Sequence, residues 1–185
     1  RTAILYRADR LSPVGPLRTA PEDAFIRPPM AQRFRSGAGH TFTLVTAHFK
    51  SKGGCDEPVD PWHGCGTERR KREAAALARW TSELPGPVII AGDLNAQARE
   101  APLRRLRSAG FRDLLAAHLL IADRYTYIHQ GRSGYLDHLL VRGPADIAAV
   151  GHWATGADEP PGVPEPGTVW AASDHDPVWL DLGGG

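Results

Sequence analysis

The chain has 185 residues, of which 42% are hydrophobic and 23% are charged. These values are typical of one globular domain with its own core, and they exclude a disordered segment or a membrane protein. The 22 Lys and Arg residues almost balance the 21 Asp and Glu residues, so the net charge of +1 excludes a strongly basic nucleic-acid coat protein. An enzyme acting on nucleic acid is not excluded, because it needs only a local basic groove.

The first half of the chain is predicted to hold two strands, at residues 3–6 and 41–49, where apolar and β-branched residues cluster. Between them, residues 11–20 contain prolines and glycine and are expected to be irregular. Residues 25–34 contain two consecutive prolines, so this segment is expected to be extended at best and confined to a sheet edge. Residues 51–66 form a predicted loop that contains both cysteines.

In the second half of the chain, Thr67 is expected to cap a helix that runs to about Leu84 and is stopped by Pro85-Gly86. A shorter helix is predicted at residues 103–109, with Gly110 at its C-terminal end. Residues 131–134 are expected to turn a hairpin between the strands on either side. The predicted strands of this half lie at residues 88–91, 125–130, 135–141, 145–153 and 176–182. The pattern predicts one α/β domain, with a proline- and glycine-rich loop at residues 154–167.

Four of these strands end in acidic, amide or imidazole side chains. Such groups are costly to bury unless they are paired, hydrogen-bonded or bound to a cation. In layered α/β folds, strand ends on one edge of the sheet are where functional sites assemble. We therefore expect six side chains to surround one small volume: His48, Asp93, Asn95, Asp137, Asp174 and His175.

In these motifs the chain resembles the C-terminal part of the endonuclease/exonuclease/phosphatase superfamily, which includes DNase I and exonuclease III. The matching stretches are residues 46–53, 92–96, 135–138 and 173–177. Within the superfamily the chain is most similar to secreted bacterial nucleases in which a His-Phe/Leu-Lys-Ser-Lys-Gly strand precedes a cysteine-bearing loop. The resemblance spans nearly the whole chain, in order. It implies a two-sheet α/β sandwich of the DNase I-like type with helices on the outer faces, here lacking its N-terminal part.

The resemblance also implies a catalytic role for each of five residues. Asp93 would orient or deprotonate the attacking water, and Asn95 would help to hold the phosphate and that aspartate. His175 would contact the scissile phosphate, with Asp137 as the carboxylate that orients it and keeps it cationic. His48 would be the general acid toward the leaving group. The implied reaction is hydrolysis of a phosphodiester.

The metal expected from the resemblance is Mg²⁺, with Mn²⁺ or Ca²⁺ as alternatives, ligated by Asp174 and Asp93. The superfamily's N-terminal half supplies an early asparagine and a strand-end glutamate that is the main metal ligand, and neither motif is present here. We therefore expect residues 1–185 to be the C-terminal portion of this domain. By itself this portion should bind metal feebly and have little or no activity, with the N-terminal half of the same domain as its partner.

Four cations are hypothesised to contact the substrate: Arg27, Lys50, Lys52 and Arg72. For Arg72 and its basic neighbours at residues 69–71, the alternative is a solvated helix face. His138 follows Asp137 on the same strand and so points to the opposite face, which predicts a structural role. Asp176 is interpreted as a turn residue.

Cys55 and Cys65 lie in the same predicted loop, where a disulfide would stabilise the fold by roughly 3 kcal/mol. A disulfide fits export to an oxidising compartment. The alternatives are a zinc site that uses Cys55, His63 and Cys65, which no C-x-x-C pair supports, and two free thiols. We predict the disulfide, and with it an extracellular location.

Together these observations predict a metal-dependent phosphodiesterase, a secreted nuclease of low specificity that acts mainly on DNA and also on RNA. We expect a monomer and no membrane partner, since no apolar run approaches the ~20 residues of a bilayer span. Two alternatives stay open. One is a phosphatase or phospholipid phosphodiesterase of the same superfamily, and the other is a catalytically silent binding module.

Overall fold

Strands of one mixed sheet form the centre of the computed structural model, which describes residues 2–55, 63–158 and 173–183. The strands are β1 (Leu11–Pro13), β2 (Arg18–Thr19), β3 (Met30–Ser36), β4 (Thr41–Thr46), β5 (Val88–Asp93), β6 (Arg112–Asp113), β7 (Tyr127–His129), β8 (Arg132–Gly134), β9 (Asp137–Arg142), β10 (Ile147–His152) and β11 (Val178–Leu182). The helices are α1 (Thr67–Ser82), α2 (Ala101–Ser108) and α3 (Leu114–His118), with short 3₁₀ helices at Glu22–Ala24 and Ile121–Asp123.

The central sheet has seven strands in the order β1-β3-β4-β5-β9-β6, and β2 also pairs with β3. β4 and β5 are parallel, because α1 lies in the crossover between them, whereas the other neighbours are antiparallel. The register of β5 with β9 places Asp93 directly opposite Asp137. The sheet therefore brings two carboxylates from distant parts of the chain to one edge.

Alternate residues of the central strands cover the two faces of this sheet. On the first face, Val45, Ile90 and Leu140 pack against α1 and α2. The helices contribute their apolar stripes, whose fully buried members are Ala74, Leu77, Leu103 and Leu106. This layer is the main core of the protein.

On the second face, Ile89 and Leu139 pack against α3 and a second, two-stranded sheet formed by β10 and β11. Two sheets with helices on the outer face of the larger one confirm the predicted α/β sandwich. The centre of this layer is buried, but many of the apolar side chains around it are only partly buried, and they include Ile4, Leu44, Val178 and Leu180. The second face is thus less completely covered than the first.

Three predictions about the early part of the chain are wrong. Residues 3–6 form no strand, although Tyr6 contacts the ring of Phe34. The segment expected to be irregular contains β1 and β2, which pair with β3 only, so Pro13 lies where its missing N–H faces no second strand. β3 is flanked on both sides rather than confined to an edge, because the prolines precede it and the strand begins at Met30.

A hairpin is present, but the predicted turn at residues 131–134 is wrong, because residues 132–134 form its second strand, β8. Gln130 and Gly131 form the turn, with φ of 50° and 72°, which is the left-handed pair that a tight two-residue hairpin requires. β9, which was predicted to belong to this hairpin, instead joins the central sheet between β5 and β6. β7 and β8 therefore form a small ribbon outside the central sheet. The sequence pattern also missed α3 and β6.

The start of α1 differs from the prediction in two respects. Gly66, not Thr67, is the N-terminal capping residue, and no side chain caps this end. Arg70 is fully buried instead of solvated, and it donates hydrogen bonds to backbone carbonyls that include those of Lys50 and Ser51. A buried guanidinium of this kind needs several acceptors to offset its desolvation. Arg70 thus fixes the segment that follows β4.

The predicted disulfide between Cys55 and Cys65 is present, with 5.7 Å between the two Cα atoms. The alternatives of a zinc site and of free thiols are therefore wrong. The backbone N–H of Cys65 donates to the carbonyl of Lys52, so the bond ties the start of α1 to the segment after β4. Among the described residues, no helix is long and apolar enough to cross a bilayer.

Replacing both cysteines, in C55S/C65S, should lower the free energy of unfolding by about 3 kcal/mol, because the closed loop no longer restricts the unfolded chain. Urea denaturation of the oxidised wild type and the double variant measures the difference. An unchanged midpoint would contradict a stabilising role of the disulfide. Reduction of the wild type should reproduce the effect of the substitutions.

Candidate active site

A cavity of about 770 Å³ opens at the edge of the central sheet where β4 and β5 end and β9 begins. All six side chains that the strand-end motifs predicted line it: His48, Asp93, Asn95, Asp137, Asp174 and His175. The sheet register explains the convergence, since β4 and β5 run parallel and β9 runs back between β5 and β6. The prediction that these residues share one small volume is therefore consistent with the structure.

Gly92 allows β4 and β5 to approach closely just before the site. Its φ is 145°, and a Cβ atom there would lie 2.0 Å from the carbonyl oxygen of Ala47. Any side chain at this position would thus push the segment after β4 away from β5. The close approach places His48 next to Asp93, with 3.4 Å between His48 Nε2 and Asp93 Oδ2.

Asn95 donates two hydrogen bonds to the carboxylate of Asp93. Its backbone N–H donates to Asp93 Oδ1 at 2.7 Å, and its side-chain amide donates to Oδ2 at 2.8 Å. The same amide also donates to the carbonyl of Phe49 at 3.2 Å. Asn95 adopts a left-handed backbone conformation with φ of 48°, which asparagine tolerates better than most residues. The turn after β5 therefore fixes both oxygens of Asp93.

Burial dominates the ionisation of the His48–Asp93 pair. Desolvation, with the nearby charge of Asp137, raises the pKa of Asp93 to about 6. Desolvation, with the positive charge of Arg27, lowers the pKa of His48 to about 4. At neutral pH the contact is thus between an ionised carboxylate and a neutral imidazole, and not a salt bridge.

Asp137 and His175 form the second pair of the site. His175 Nδ1 lies 2.6 Å from Asp137 Oδ2. Burial alone would lower the pKa of His175, but the hydrogen bond and the charge of Asp137 outweigh burial and raise this pKa above its usual value. The imidazole of His175 is thus more basic than that of His48.

Thr126, which the sequence pattern did not single out, completes this pair. The side chain is fully buried, and its hydroxyl accepts from the backbone N–H groups of Leu136 and Asp137. With its lone pairs occupied, the hydroxyl donates its own proton to Asp137 Oδ2 at 2.7 Å. A threonine in a strand is an ordinary residue, so no sequence signal marks this contact.

The ribbon of β7 and β8 forms one wall of the cavity, and this wall was also missed. The ring of Tyr127 stacks on that of His175 with 4.6 Å between centroids, and the ring of His129 stacks beyond it at 6.0 Å. Gln130 and Arg132 line the same wall. Rings at alternate positions before the Gln-Gly turn are compatible with a strand of a hairpin, but this pattern does not indicate that the strand lines a cavity.

The four cations hypothesised to contact the substrate are placed differently from one another. Lys52 lines the cavity and pairs with Glu100. Lys50 bends back, and its Nζ donates to the carbonyls of Ser51 and Gly53. Arg27 donates to the carbonyl of Phe49 at 2.9 Å, behind the site. Arg72 is exposed on α1 and does not line the cavity.

The described residues do not provide a complete Mg²⁺ site. Asp93 and Asp174 line the same cavity and could supply oxygen ligands. However, no cluster of three or more acidic, histidine or cysteine side chains suited to a metal occurs in residues 2–55, 63–158 and 173–183. Asp93 is also engaged on both oxygens by Asn95. The residues present thus fit a divalent ion only in part.

His138 is buried behind the cavity, in agreement with its predicted structural role. Its Nε2 lies 2.8 Å from the carbonyl oxygen of Ala96, and its Nδ1 lies 3.3 Å from Asp113 Oδ2. Asp113 also accepts a hydrogen bond from the hydroxyl of Tyr135. This network holds the turn that carries Asn95 against β9.

Asp176, interpreted as a turn residue, anchors a loop beside the second sheet. Its Oδ1 accepts from three consecutive backbone N–H groups, those of Thr155, Gly156 and Ala157. Asp176 is almost completely buried, and it does not line the cavity. The arrangement agrees with a structural role.

The sequence model described as "Endonuclease/Exonuclease/phosphatase family" matches residues 1–175 of the chain. Among curated protein sequences, none matches the chain significantly.

Several solved structures share the fold at low sequence identity. D. rerio TDP2 complexed with single strand DNA product has a TM-score of 0.69 and 17% identity, over 94% of this chain and 69% of that one. The Bacteroides thetaiotaomicron mannosyl-6-phosphatase has a TM-score of 0.62 and 17% identity, over 96% and 68%. The human Nocturnin catalytic domain with bound sulfate anion has a TM-score of 0.61 and 17% identity, over 94% and 62%. These likenesses show the fold alone.

Replacing Asp137 by asparagine should lower the pKa of His175 relative to the wild type, because the hydrogen bond and the charge that oppose burial most strongly are lost, and only the weaker effects of Asp93 and Asp174 remain. In the wild type, the raised pKa means that the pair stabilises the fold below pH ~6.5 and loses this contribution as the pH rises through the folded-state pKa. The difference in unfolding free energy between wild type and D137N should therefore be largest on the acidic side. NMR titration of His175 and urea unfolding at several pH values measure both effects. An unchanged titration of His175 in D137N would contradict the pairing.

Two substitutions of His138 should separate its two contacts. H138Q keeps an N–H near the position of Nε2 and can still donate to Ala96, whereas H138N keeps only a donor near Nδ1, toward Asp113. We expect faster hydrogen exchange of the Leu94 and Gln97 amides in H138N than in H138Q, measured at matched global stability. Equal protection in the two variants would show that the contact with Ala96 does not hold this turn.

Proposed function

The chain belongs to the Endonuclease/Exonuclease/phosphatase family, and from this premise we propose that it carries the catalytic residues of a nuclease that cleaves DNA and also RNA. Hydrolysis of a phosphoester is the chemistry common to this family. The observation that carries the proposal is the juxtaposition, in one cavity, of two imidazole–carboxylate pairs with opposite ionisation preferences.

In this proposal the His175–Asp137 pair binds the scissile phosphate. An imidazole with a raised pKa and an adjacent carboxylate is cationic over a wider pH range, and a cation stabilises the negative charge that develops on phosphoryl oxygens. Thr126 keeps the carboxylate in position through its hydroxyl. The Nδ1 of His175 is engaged by Asp137, so Nε2 is the atom available to the phosphate.

Asp93 and His48 act on the other side of the phosphate. Asp93, which is ionised above a pKa of about 6, orients the attacking water or accepts its proton, while Asn95 holds the carboxylate. His48 is neutral in the free cavity, and a bound phosphodiester anion would raise its pKa and allow it to protonate the leaving oxygen. This assignment gives each of the two imidazoles a separate role.

Nucleic acid is the proposed substrate because the cavity is an open site with a cation and stacked rings on its walls. Lys52 lines one side, and Tyr127 and His129 line the other. Such walls suit a phosphate backbone and planar bases. The complex of D. rerio TDP2 with single strand DNA product supports nucleic-acid binding in this fold.

A phosphatase is the second candidate function, favoured by the similarity of the fold to the mannosyl-6-phosphatase. A catalytically silent binding module is less well supported, because both imidazole–carboxylate pairs are intact and line the cavity. A phospholipid phosphodiesterase stays an alternative of the same chemical class.

Enzymes of this family generally use divalent metal ions, and a bound ion would neutralise charge on the phosphoryl oxygens. We propose that Asp93 and Asp174 contribute to such a site and that the remaining ligands come from a preceding segment of the same domain. The partly covered second face of the central sheet supports this proposal. Residues 1–185 would then be the C-terminal portion of the domain, binding metal weakly and acting weakly on their own.

We also propose that the protein acts outside the cell as a monomer. The Cys55–Cys65 disulfide supports this location, because such bonds persist in oxidising compartments. Cys65 follows Gly64 and donates its backbone N–H to the carbonyl of Lys52, and both Gly64 and Lys52 line the cavity. Formation of the disulfide therefore helps to position this part of the cavity wall.

The proposed function is tested with the longest protein that contains this chain, using plasmid DNA and added Mg²⁺. H175A should reduce the cleavage rate by at least about 10²-fold, which is the lower range for loss of acid–base or electrostatic help from one imidazole. H118A is the matched control, since His118 is exposed at the end of α3 and does not line the cavity. Equal rates for H175A and the wild type would contradict the assignment.

The same preparation distinguishes the candidate functions. Plasmid nicking without release of inorganic phosphate from small monoesters supports the nuclease. Release of phosphate from small esters without nicking would overturn it in favour of the phosphatase. Absence of both activities would favour the silent module.

A further inference from the structure

Six exposed arginines lie on α1, on α2 and in the turn just before α2, and we call them the arginine face: Arg72, Arg79, Arg99, Arg104, Arg105 and Arg107. In the part of the chain that the structure describes, none of the six forms an ion pair with an acidic side chain. The exposed acids of this layer are already engaged, because Glu68 pairs with Lys71 and Glu83 pairs with Arg18. Positive charge is therefore in excess on this face, although Glu68 also interacts with Arg72 and the whole chain is almost neutral.

Clustering of this kind is unfavourable for the fold itself. Arg104 and Arg107 are neighbours on the surface of α2, and like charges at this spacing repel each other. A helix face that is merely solvated usually mixes both signs of charge. A cluster with an excess of positive charge instead creates a local field that attracts anions.

Both helices begin at the rim of the cavity. Gly64, which lines the cavity, precedes α1 by a few residues, and Gln97, which also lines it, precedes Arg99 and the start of α2. Lys52 accepts a backbone hydrogen bond from Cys65, just before α1, and forms an ion pair with Glu100, just before α2. Lys52 therefore links the starts of the two helices. At the far ends, Arg142 donates to the carbonyl of Thr81 and packs beside Gly110, so α1 and α2 run in the same direction.

The arginine face is thus a surface that leads away from the cavity. α1 has 16 residues and α2 has 8, which correspond to about 24 and 12 Å of helix. At roughly 3.4 Å of axial rise per nucleotide of one duplex strand, this length matches on the order of four to seven phosphates. Guanidinium groups recognise phosphate oxygens through two parallel hydrogen bonds.

We propose that the arginine face is a docking surface for the phosphate backbone of nucleic acid, which it holds beyond the cavity. This inference rests on the proposed function, since it extends the contact of the same substrate. An anionic membrane is the less suitable partner. Among the described residues from 63 to 112, no large hydrophobic side chain is exposed, so this face offers nothing to insert between lipids.

Binding of nucleic acid without metal tests the docking surface independently of cleavage. The probe is a labelled single-stranded oligonucleotide of about 20 nucleotides, longer than the ~4–16 nucleotides of a typical single-strand site. We expect R104E/R107E to weaken binding at least tenfold by fluorescence anisotropy. The slope of log K against log[salt] should also become shallower, by the amount that corresponds to the loss of about two phosphate contacts.

The matched control is R7E/R10E, which makes the same change in net charge at exposed positions. These arginines lie next to Tyr6, whose ring contacts Phe34 on the opposite, second face of the central sheet. The control should bind the oligonucleotide like the wild type. A loss of binding equal to that of R104E/R107E would show a non-specific charge effect and overturn the docking surface.

A second variant guards against a folding defect, because Arg104 and Arg107 donate to the carbonyls of Arg99 and Ala98. R79E/R105E changes two arginines of the face that make no such hydrogen bond in the described structure. It too should weaken oligonucleotide binding. Both arginines lie in the last turns of their helices, where glutamate is less favourable, so binding is measured well below the thermal midpoint of the variant.

The outcomes separate this inference from the proposed function. If plasmid DNA is cleaved but both face variants bind the oligonucleotide like the wild type, the docking surface is wrong and the nuclease assignment stands. If the face variants lose oligonucleotide binding while no form cleaves DNA, the docking surface stands and the nuclease assignment fails. Loss of binding only to phosphatidylserine vesicles, with DNA binding unchanged, would overturn the assignment of nucleic acid as the partner.

Discussion

Two carboxylates that face each other across neighbouring strands are the constraint around which this site is built. The register of β5 and β9 places Asp93 opposite Asp137, and their mutual repulsion contributes to the raised pKa of Asp93. Each carboxylate is stabilised separately by its own neighbours. Asn95 donates two hydrogen bonds to Asp93, whereas His175 and Thr126 contact Asp137. Because the two sets of partners differ, burial and repulsion leave the pKa of Asp93 raised, whereas Asp137 raises the pKa of His175.

The strand-end motifs predicted the composition of the site because their side chains are costly to bury without partners, and that cost is visible in the sequence. The fold class, the disulfide and α1 were predicted for similar reasons, from local patterns with a direct physical cause. Thr126 and the Tyr127–His129 wall could not be predicted. Their importance arises from contacts between residues far apart in the chain, and no local pattern records such contacts.

The errors in the secondary structure have one common origin. A sequence segment indicates its own preference for extended backbone, but not which strand it will pair with. The sequence of β9 is equally compatible with the second arm of a hairpin and with a strand of the central sheet. Its pairing with β5 and β6 decides between the two. Arg70 shows the same limit for a side chain. It lies in a basic run typical of a solvated surface, yet the carbonyls after β4 make its burial favourable.

The ribbon of β7 and β8 lies outside the central sheet, and an isolated bridge joins its Tyr127 to His175 in the segment before β11. Its tip, at Gln130 and Gly131, is exposed and carries no strand pairing beyond its own two arms. Insertions at this tip would leave the alignment of β5 with β9 intact while reshaping the mouth of the cavity. The fold thus separates the strand-end geometry of the cavity from the shape of its rim, so lengthening this one turn would change which molecules fit without altering the paired strands.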